Sequence, residues 1–172
     1  MAATEQQLHV FLNETPMGLL RHFKGGKLSF IYEDAYLDNP AAVPLSLSLP
    51  LDDARYSHEK INPWLWGLLP DNELIIARWA QRFQVSPSNA FGLLQGMGED
   101  CAGAVRFIRP EKVEQADKGG KVGITEAEIE ERLTELKLGP GMGRNPTDRG
   151  QFSLAGAQSK TALQKRGSKR YV

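Results

Sequence analysis

Cysteine is nearly absent from this chain. Cys101 stands alone among 172 residues, so no internal disulfide can staple the fold, and a single thiol fits a reducing compartment. No histidine lies near it in sequence, and Cys101 reads as a small buried apolar residue rather than a nucleophile. Histidine is scarce as well: His9, His22 and His58 are scattered and lack metal-ligand spacing, so no metal site is expected. The Gly-x-Ser-x-Gly elbow of serine hydrolases does not occur. No apolar run approaches the length of a bilayer span and residues 1–7 are polar; neither a membrane helix nor a signal peptide is expected, and the cytoplasm is the expected location. The acidic pairs Asp52-Asp53 and Glu99-Asp100 are neighbours in loop-like stretches, where carboxylates are ordinarily just solvated.

Net charge is zero only as a sum. From Arg144 onward seven basic residues stand against Asp148 alone, a balance of +6, so residues 1–143 carry −6. A basic end of this kind can serve nucleic acid, nucleotide phosphates or an acidic face of the same protein. Only Phe152 and Tyr171 are aromatic there, which leaves nucleic acid the weakest of the three. The bland alternative is a solvated strand pair.

What is present is the composition of a globular protein, 41% hydrophobic and 24% charged, with a length that suits one domain or a domain with an appendage. Residues 8–13 alternate as a strand, Asn13-Glu14-Thr15 turns the chain back into residues 17–20, and Gly25-Gly26 precedes a third strand with Leu28, Phe30 and Tyr32 on one face. The alternating Leu and Ser of residues 43–51, bounded by Pro44 and Pro50, predict a short or edge strand. Asn62-Pro63 predicts a helix start, with Pro70 ending that helix and Asp71 capping the next, where Ile75, Ile76, Trp79, Ala80 and Phe83 recur at helical spacing. Trp64, Trp66 and Trp79 read as core rather than as a ligand cage.

Ser86-Pro87 predicts a third helix with Phe91 and Leu94 inward. A strand over residues 104–108 ends before Pro110, and residues 112–121 read as an exposed charged loop. Thr125 and Glu128 form a capping box for a fourth helix carrying Ile129, Leu133 and Leu136, stopped by Gly139-Pro140. The expected division is a compact unit over residues 1–138, then a linker and a basic hairpin over residues 139–172. The expected fold class is α+β: an antiparallel β meander packed by helices, followed by a glycine-loop hairpin.

The stretch with most chemical content is residues 151–165, QFSLAGAQSKTALQK. Its small residues Ala155, Gly156 and Ala157 let a backbone approach something bulky, and Gln158, Ser159, Lys160 and Thr161 add side-chain donors. Converging N–H groups favour a phosphate guest. The Walker A spacing is not met, because Leu154 and Ser159 stand where its glycines belong, and the turn signal Arg166-Gly167-Ser168 follows instead of a helix. A glycine loop between two strands is what protein kinases lay over nucleotide phosphates. An ordinary hairpin turn of small residues is the alternative on these residues alone.

Taken together, Pro44-Leu45-Ser46-Leu47-Ser48-Leu49-Pro50-Leu51, Leu68-Leu69-Pro70-Asp71-Asn72, Phe91-Gly92-Leu93-Leu94, Asp100-Cys101-Ala102-Gly103-Ala104-Val105 and residues 152–163 resemble HipA, the serine/threonine kinase toxin of bacterial HipBA toxin–antitoxin pairs. The resemblance runs through nearly the whole chain, in the family's order. It implies a β-rich N-terminal lobe and a helical C-terminal lobe with ATP and Mg between them. It further implies phosphorylation of glutamyl-tRNA synthetase, dormancy and persistence, and restraint by HipB, a helix-turn-helix antitoxin through which operator DNA is contacted. By the same resemblance Ala155, Gly156, Ala157, Gln158, Ser159, Lys160 and Thr161 cover the ATP phosphates, and Ser153 is a site of inhibitory autophosphorylation.

The catalytic Asp followed by Asn, the second metal-binding Asp and the nucleotide-pairing strand Lys of such kinases have no counterpart in these 172 residues. No catalytic residue is therefore expected in this chain, no cofactor is expected tightly bound to it, and it is expected to be inactive alone. The alternative implied by the same family is a separately encoded N-terminal module that binds and inhibits a HipA-like kinase, an antitoxin rather than an enzyme.

Overall fold

The computed structural model describes residues 6–101, 104–115, 123–138, 164–167 and 169–171. Strands β1 (Gln6–Leu12), β2 (Thr15–His22) and β3 (Leu28–Tyr32) form the expected meander, with the two-residue β4 (Arg55–Tyr56) at one edge and β5 (Val105–Ile108) beside β1 at the other. All pairings are antiparallel. The turns are set by residues that tolerate positive φ: Asn13 at +55°, then Gly25 at +92° and Gly26 at +83°.

Register explains which side chains meet. One row crosses four strands as Leu8, Leu20, Phe30 and Tyr56; the next runs Phe107, Val10, Gly18 and Tyr32. Gly18 is required there, since a Cβ would lie 2.2 Å from the Ile31 carbonyl oxygen and 2.9 Å from the Phe30 ring. A register shift between Val10 and Phe11 lets both of these neighbours be buried despite the period of two.

Helices α2 (His58–Trp66), α3 (Glu73–Phe83) and α4 (Ala90–Met97) add the second layer, α2 against β3 and α4, α4 against α3 and β5. Ile61, Leu65, Ile76, Ala80, Phe91, Leu93 and Leu94 close the core from this side. Each large side chain so removed from water contributes about 1.5–3 kcal/mol before entropy is counted. Trp64, Trp66 and Trp79 are half-buried at its margin, packed against the core as expected of helix-spaced tryptophans.

The structure moves three helix starts. Ser57 precedes α2, and Pro63 lies inside that helix on its exposed side, where its lost amide costs least. Asn72, not Asp71, caps α3 by accepting from the Leu74 amide, and Asn89, not Ser86-Pro87, caps α4 by accepting from the Gly92 amide.

The expected strand over residues 43–51 is absent. The short helix α1 (Asp34–Leu37) leads into a turn in which the Leu49 amide donates to the Ser46 carbonyl; Leu45 and Leu49 point inward while Leu47 is 96% exposed. A turn thus produces the same alternation as a strand.

Beyond β5 a 3-10 segment, Pro110–Gln115, occupies the start of the stretch read as a loop. A separate three-stranded sheet has the order β6 (Gly123–Ile124), β8 (Lys169–Tyr171), β7 (Gln164–Arg166). The hairpin between β7 and β8 turns at Gly167, φ +61°, as its sequence predicts. The pairing of β6 with β8 crosses the expected division between residues 138 and 139. Helix α5 (Glu126–Leu138) begins with the expected capping box: Glu128 accepts from the Thr125 amide at 2.7 Å and Thr125 Oγ1 from the Glu128 amide at 3.3 Å.

Candidate functional site

Ser153, Ala155, Gly156, Ala157, Gln158, Ser159, Lys160 and Thr161 lie outside the described residues. The described elements on either side define what would carry that loop. Downstream, β7 pairs with β8, so the chain leaving the loop enters a sheet rather than a helix. The register sets Lys165 opposite Arg170 and Arg166 opposite Lys169, which concentrates four cationic residues on the two rungs nearest the turn. Like charges opposed across a ladder are destabilising unless an anion or acidic neighbour offsets them. On the other side of β8, β6 leads directly into α5, whose first turn carries Glu126 and Glu128.

Among the described residues no group of three or more His, Cys, Asp or Glu is suited to hold a metal ion. Cys101 is buried, with its Sγ 3.7 Å from the Gly98 carbonyl oxygen, as expected of a packing residue. His22 stacks on Phe91 with ring centroids 4.9 Å apart, and burial holds its pKa below the ordinary histidine value. His58 Nδ1 accepts from the Leu28 amide at 3.2 Å and joins α2 to β3. Lys112 pairs with Glu99 and ties the 3-10 segment after β5 to the turn before it.

The sequence reading missed one well-built feature, a set of three tyrosines around residues 43–50. Tyr32 donates to the Leu49 carbonyl at 2.6 Å and accepts from the Leu45 amide at 2.7 Å. Burial, the largest effect, pushes its pKa up to about 12. Tyr36 donates to the Val43 carbonyl at 2.8 Å, and Tyr56 donates to the Pro50 carbonyl. The clue available in sequence was that three of four tyrosines fall within residues 32–56, flanking a proline-bounded stretch.

A family model described as HipA N-terminal domain matches residues 8–108. The chain belongs to the HipA family. The matched range runs from β1 to the last residue of β5, so it comprises the five-stranded sheet and its helical cover. Two Sinorhizobium fredii proteins named Putative kinase Y4mE and Putative kinase Y4dM are 34% and 29% identical over 93% and 94% of the chain. An uncharacterized Haemophilus influenzae protein is 32% identical over 103 residues, which make up 91% of its own length. Among solved structures, a chain of the Shewanella oneidensis MR-1 complex of HipA, HipB and operator DNA matches 95% of this chain with TM-score 0.67 and 25% identity. This HipA-family chain spans only 38%, 36% and 37% of Y4mE, Y4dM and that Shewanella chain. No helix among the described residues is long and apolar enough to cross a membrane.

Proposed function

We propose that this chain is the N-terminal part of a HipA-type serine/threonine protein kinase toxin. The whole protein uses ATP and Mg to phosphorylate glutamyl-tRNA synthetase in the cytoplasm, arresting growth and producing persistence, and a HipB-like DNA-binding antitoxin neutralises it. The observation that carries the reading is the similarity of 95% of the chain to a HipA component of a HipA, HipB and operator complex, joined to a match of 93% of the chain with a kinase-named relative.

Within that reading, Ala155, Gly156, Ala157, Gln158, Ser159, Lys160 and Thr161 close over the nucleotide phosphates, and the hairpin of β7 and β8 supports them. Phosphorylation of Ser153 adds about −1.5 to −2 charges near neutral pH, which opposes loop closure on ATP by like-charge repulsion. The test is ATP affinity of the full-length kinase with Ser153→Asp. A sharp fall supports the reading, and unchanged affinity refutes the switch.

A second reading has its own observation. The Haemophilus influenzae relative is almost wholly accounted for by 103 residues of this chain, so a protein little larger than the N-terminal unit exists in this family. A module of that size acts as a binding protein that restrains a HipA-like kinase. Titration of the purified chain into an active HipA kinase separates the two: inhibition of phosphoryl transfer favours the module.

A further inference from the structure

Edge strand β4 stops short of the end of β3 that it runs toward. Arg55 faces Ile31 and Tyr56 faces Phe30, so His58 would face Leu28 were the strand to continue. The chain has by then turned into α2, whose first residue is His58. A side chain supplies the missing acceptor instead: the Leu28 amide donates to His58 Nδ1 at 3.2 Å. Leu28 is itself buried, so its amide has little water to turn to if that bond is lost.

The same rung carries a second imidazole. Leu28 stands opposite His22, whose ring stacks on Phe91 of α4 with centroids 4.9 Å apart. One cross-strand pair therefore joins the meander to both α2 and α4, each time through a histidine. Both ties favour the neutral ring. An imidazolium has no lone pair at Nδ1 and would set its own N–H against the Leu28 N–H. At His22, burial acts against the charge and holds the pKa below the ordinary value.

The surrounding charges do not cancel these effects. Against His22, α4 reads AFGLLQGM and is uncharged, Gln6 stands opposite on β1, and the adjoining Arg21 and Lys24 are cations. The elements meeting at His58 carry Glu59 and Lys60 on α2, Arg55 on β4 and Lys27 just before β3. The Glu59 carboxylate has its pKa lowered first by the Ser57 hydroxyl, and it also interacts with His58 and Lys27. Being exposed, it offers a protonated His58 a counter-charge in place of the lost bond.

We propose that the His22–Leu28 rung, together with His58, is a proton-operated latch. With both rings neutral it holds α2 and α4 to the β2–β3 end of the meander. Protonation frees that end while the rest of the sheet stays paired, a local opening rather than unfolding. The latch is independent of the kinase and antitoxin readings.

Amide hydrogen exchange of the 172-residue chain by NMR tests it, read as protection factors so that the intrinsic pH dependence of exchange drops out. From about pH 7.5 to about pH 5 the Leu28 amide is expected to lose protection about tenfold or more, while the Leu20 and Tyr32 amides keep theirs. His58→Asn keeps an acceptor in the place of Nδ1 that does not titrate, so Leu28 protection should no longer depend on pH. The Leu93 amide, bonded to the Asn89 carbonyl at the start of α4, should lose protection with acid in the parent but not in His22→Phe. Leu28 protection that is flat with pH in the parent overturns the latch, and so does a loss that persists in His58→Asn. A Leu93 loss that persists in His22→Phe, or a joint fall at Leu20, Leu28 and Tyr32, overturns it as well. Nitrogen NMR of the parent needs no variant: a neutral His58 ring carrying its proton on Nδ1 contradicts the acceptor role outright.

Discussion

The phenolic oxygen of Tyr32 lies 2.6 Å from the carbonyl oxygen of Leu49, 17 residues further along the chain, and both residues are buried. The same hydroxyl takes the Leu45 amide, so one side chain satisfies two polar groups that water cannot reach. A strand residue thereby sets the shape of a loop without belonging to it.

Tyr32→Phe keeps the ring and removes the hydroxyl. The Leu49 carbonyl and the Leu45 amide are then left unpaired, and stability is expected to fall by about 1–3 kcal/mol. Urea unfolding checks this as a lower midpoint with an unchanged slope. A loss below about 0.5 kcal/mol, the level of an ordinary surface substitution, contradicts the bridging role.

Gly18→Ala is expected to cost about 1–3 kcal/mol through overpacking, because the 2.2 Å approach is to the Ile31 backbone oxygen, which cannot rotate away. A Cβ at Gly25 meets nothing within 4 Å, so Gly25→Ala should suffer only from its positive φ. Paired thermal melts of the two variants rank them. Equal stability of Gly18→Ala and the parent contradicts the packing of Phe30 across Gly18.

Acid should weaken the fold through His22. Its pKa is lowered by burial, so the folded chain favours the neutral ring and the unfolded chain binds the proton first. The contribution is therefore complete above the ordinary histidine pKa of about 6.5 and is lost as pH falls from there through the folded value. His22→Phe keeps an aromatic ring available to stack on Phe91 and removes the proton. The stability difference between parent and variant should change between neutral pH and about pH 5, and a difference independent of pH contradicts the assignment.

The meander was legible in the sequence because period-two burial and its turn residues agreed: Leu28, Phe30 and Tyr32 alternate, and Asn13, Gly25 and Gly26 adopt the positive φ that such turns need. The same period misled over residues 43–51, where a turn sends Leu45 and Leu49 inward and Leu47 outward. Only tertiary partners, the tyrosine hydroxyls, distinguish that turn from a strand. The three expected caps, Asn62, Asp71 and Ser86, each adjoin a proline, whereas the helices start after Ser57, Asn72 and Asn89. The amides of Leu74 and Gly92 are satisfied by Asn72 and Asn89, while Pro63 is accommodated inside α2. Of the candidate site, the hairpin turn at Gly167 was legible from Arg166-Gly167-Ser168. The partnership of β8 with β6 was not, since two residues at Gly123–Ile124 leave no periodic signal.

The β6–β8 pairing has a consequence for the domain boundary. The five-stranded sheet closes at Ile108, and β6 belongs to the other sheet, so residues 1–115 should unfold cooperatively by themselves. Limited proteolysis followed by mass spectrometry checks this: a stable core ending between residues 109 and 122 is expected. First cleavage within α2 or α3 contradicts the division.

The kinase assignment is tested most directly by phosphoryl transfer. The full-length protein that contains this chain should be incubated with radiolabelled ATP, Mg²⁺ and glutamyl-tRNA synthetase. The account predicts label on the synthetase and on Ser153, with Ser153→Ala abolishing only the latter. Absence of label on both, from a protein that folds and binds ATP, contradicts it.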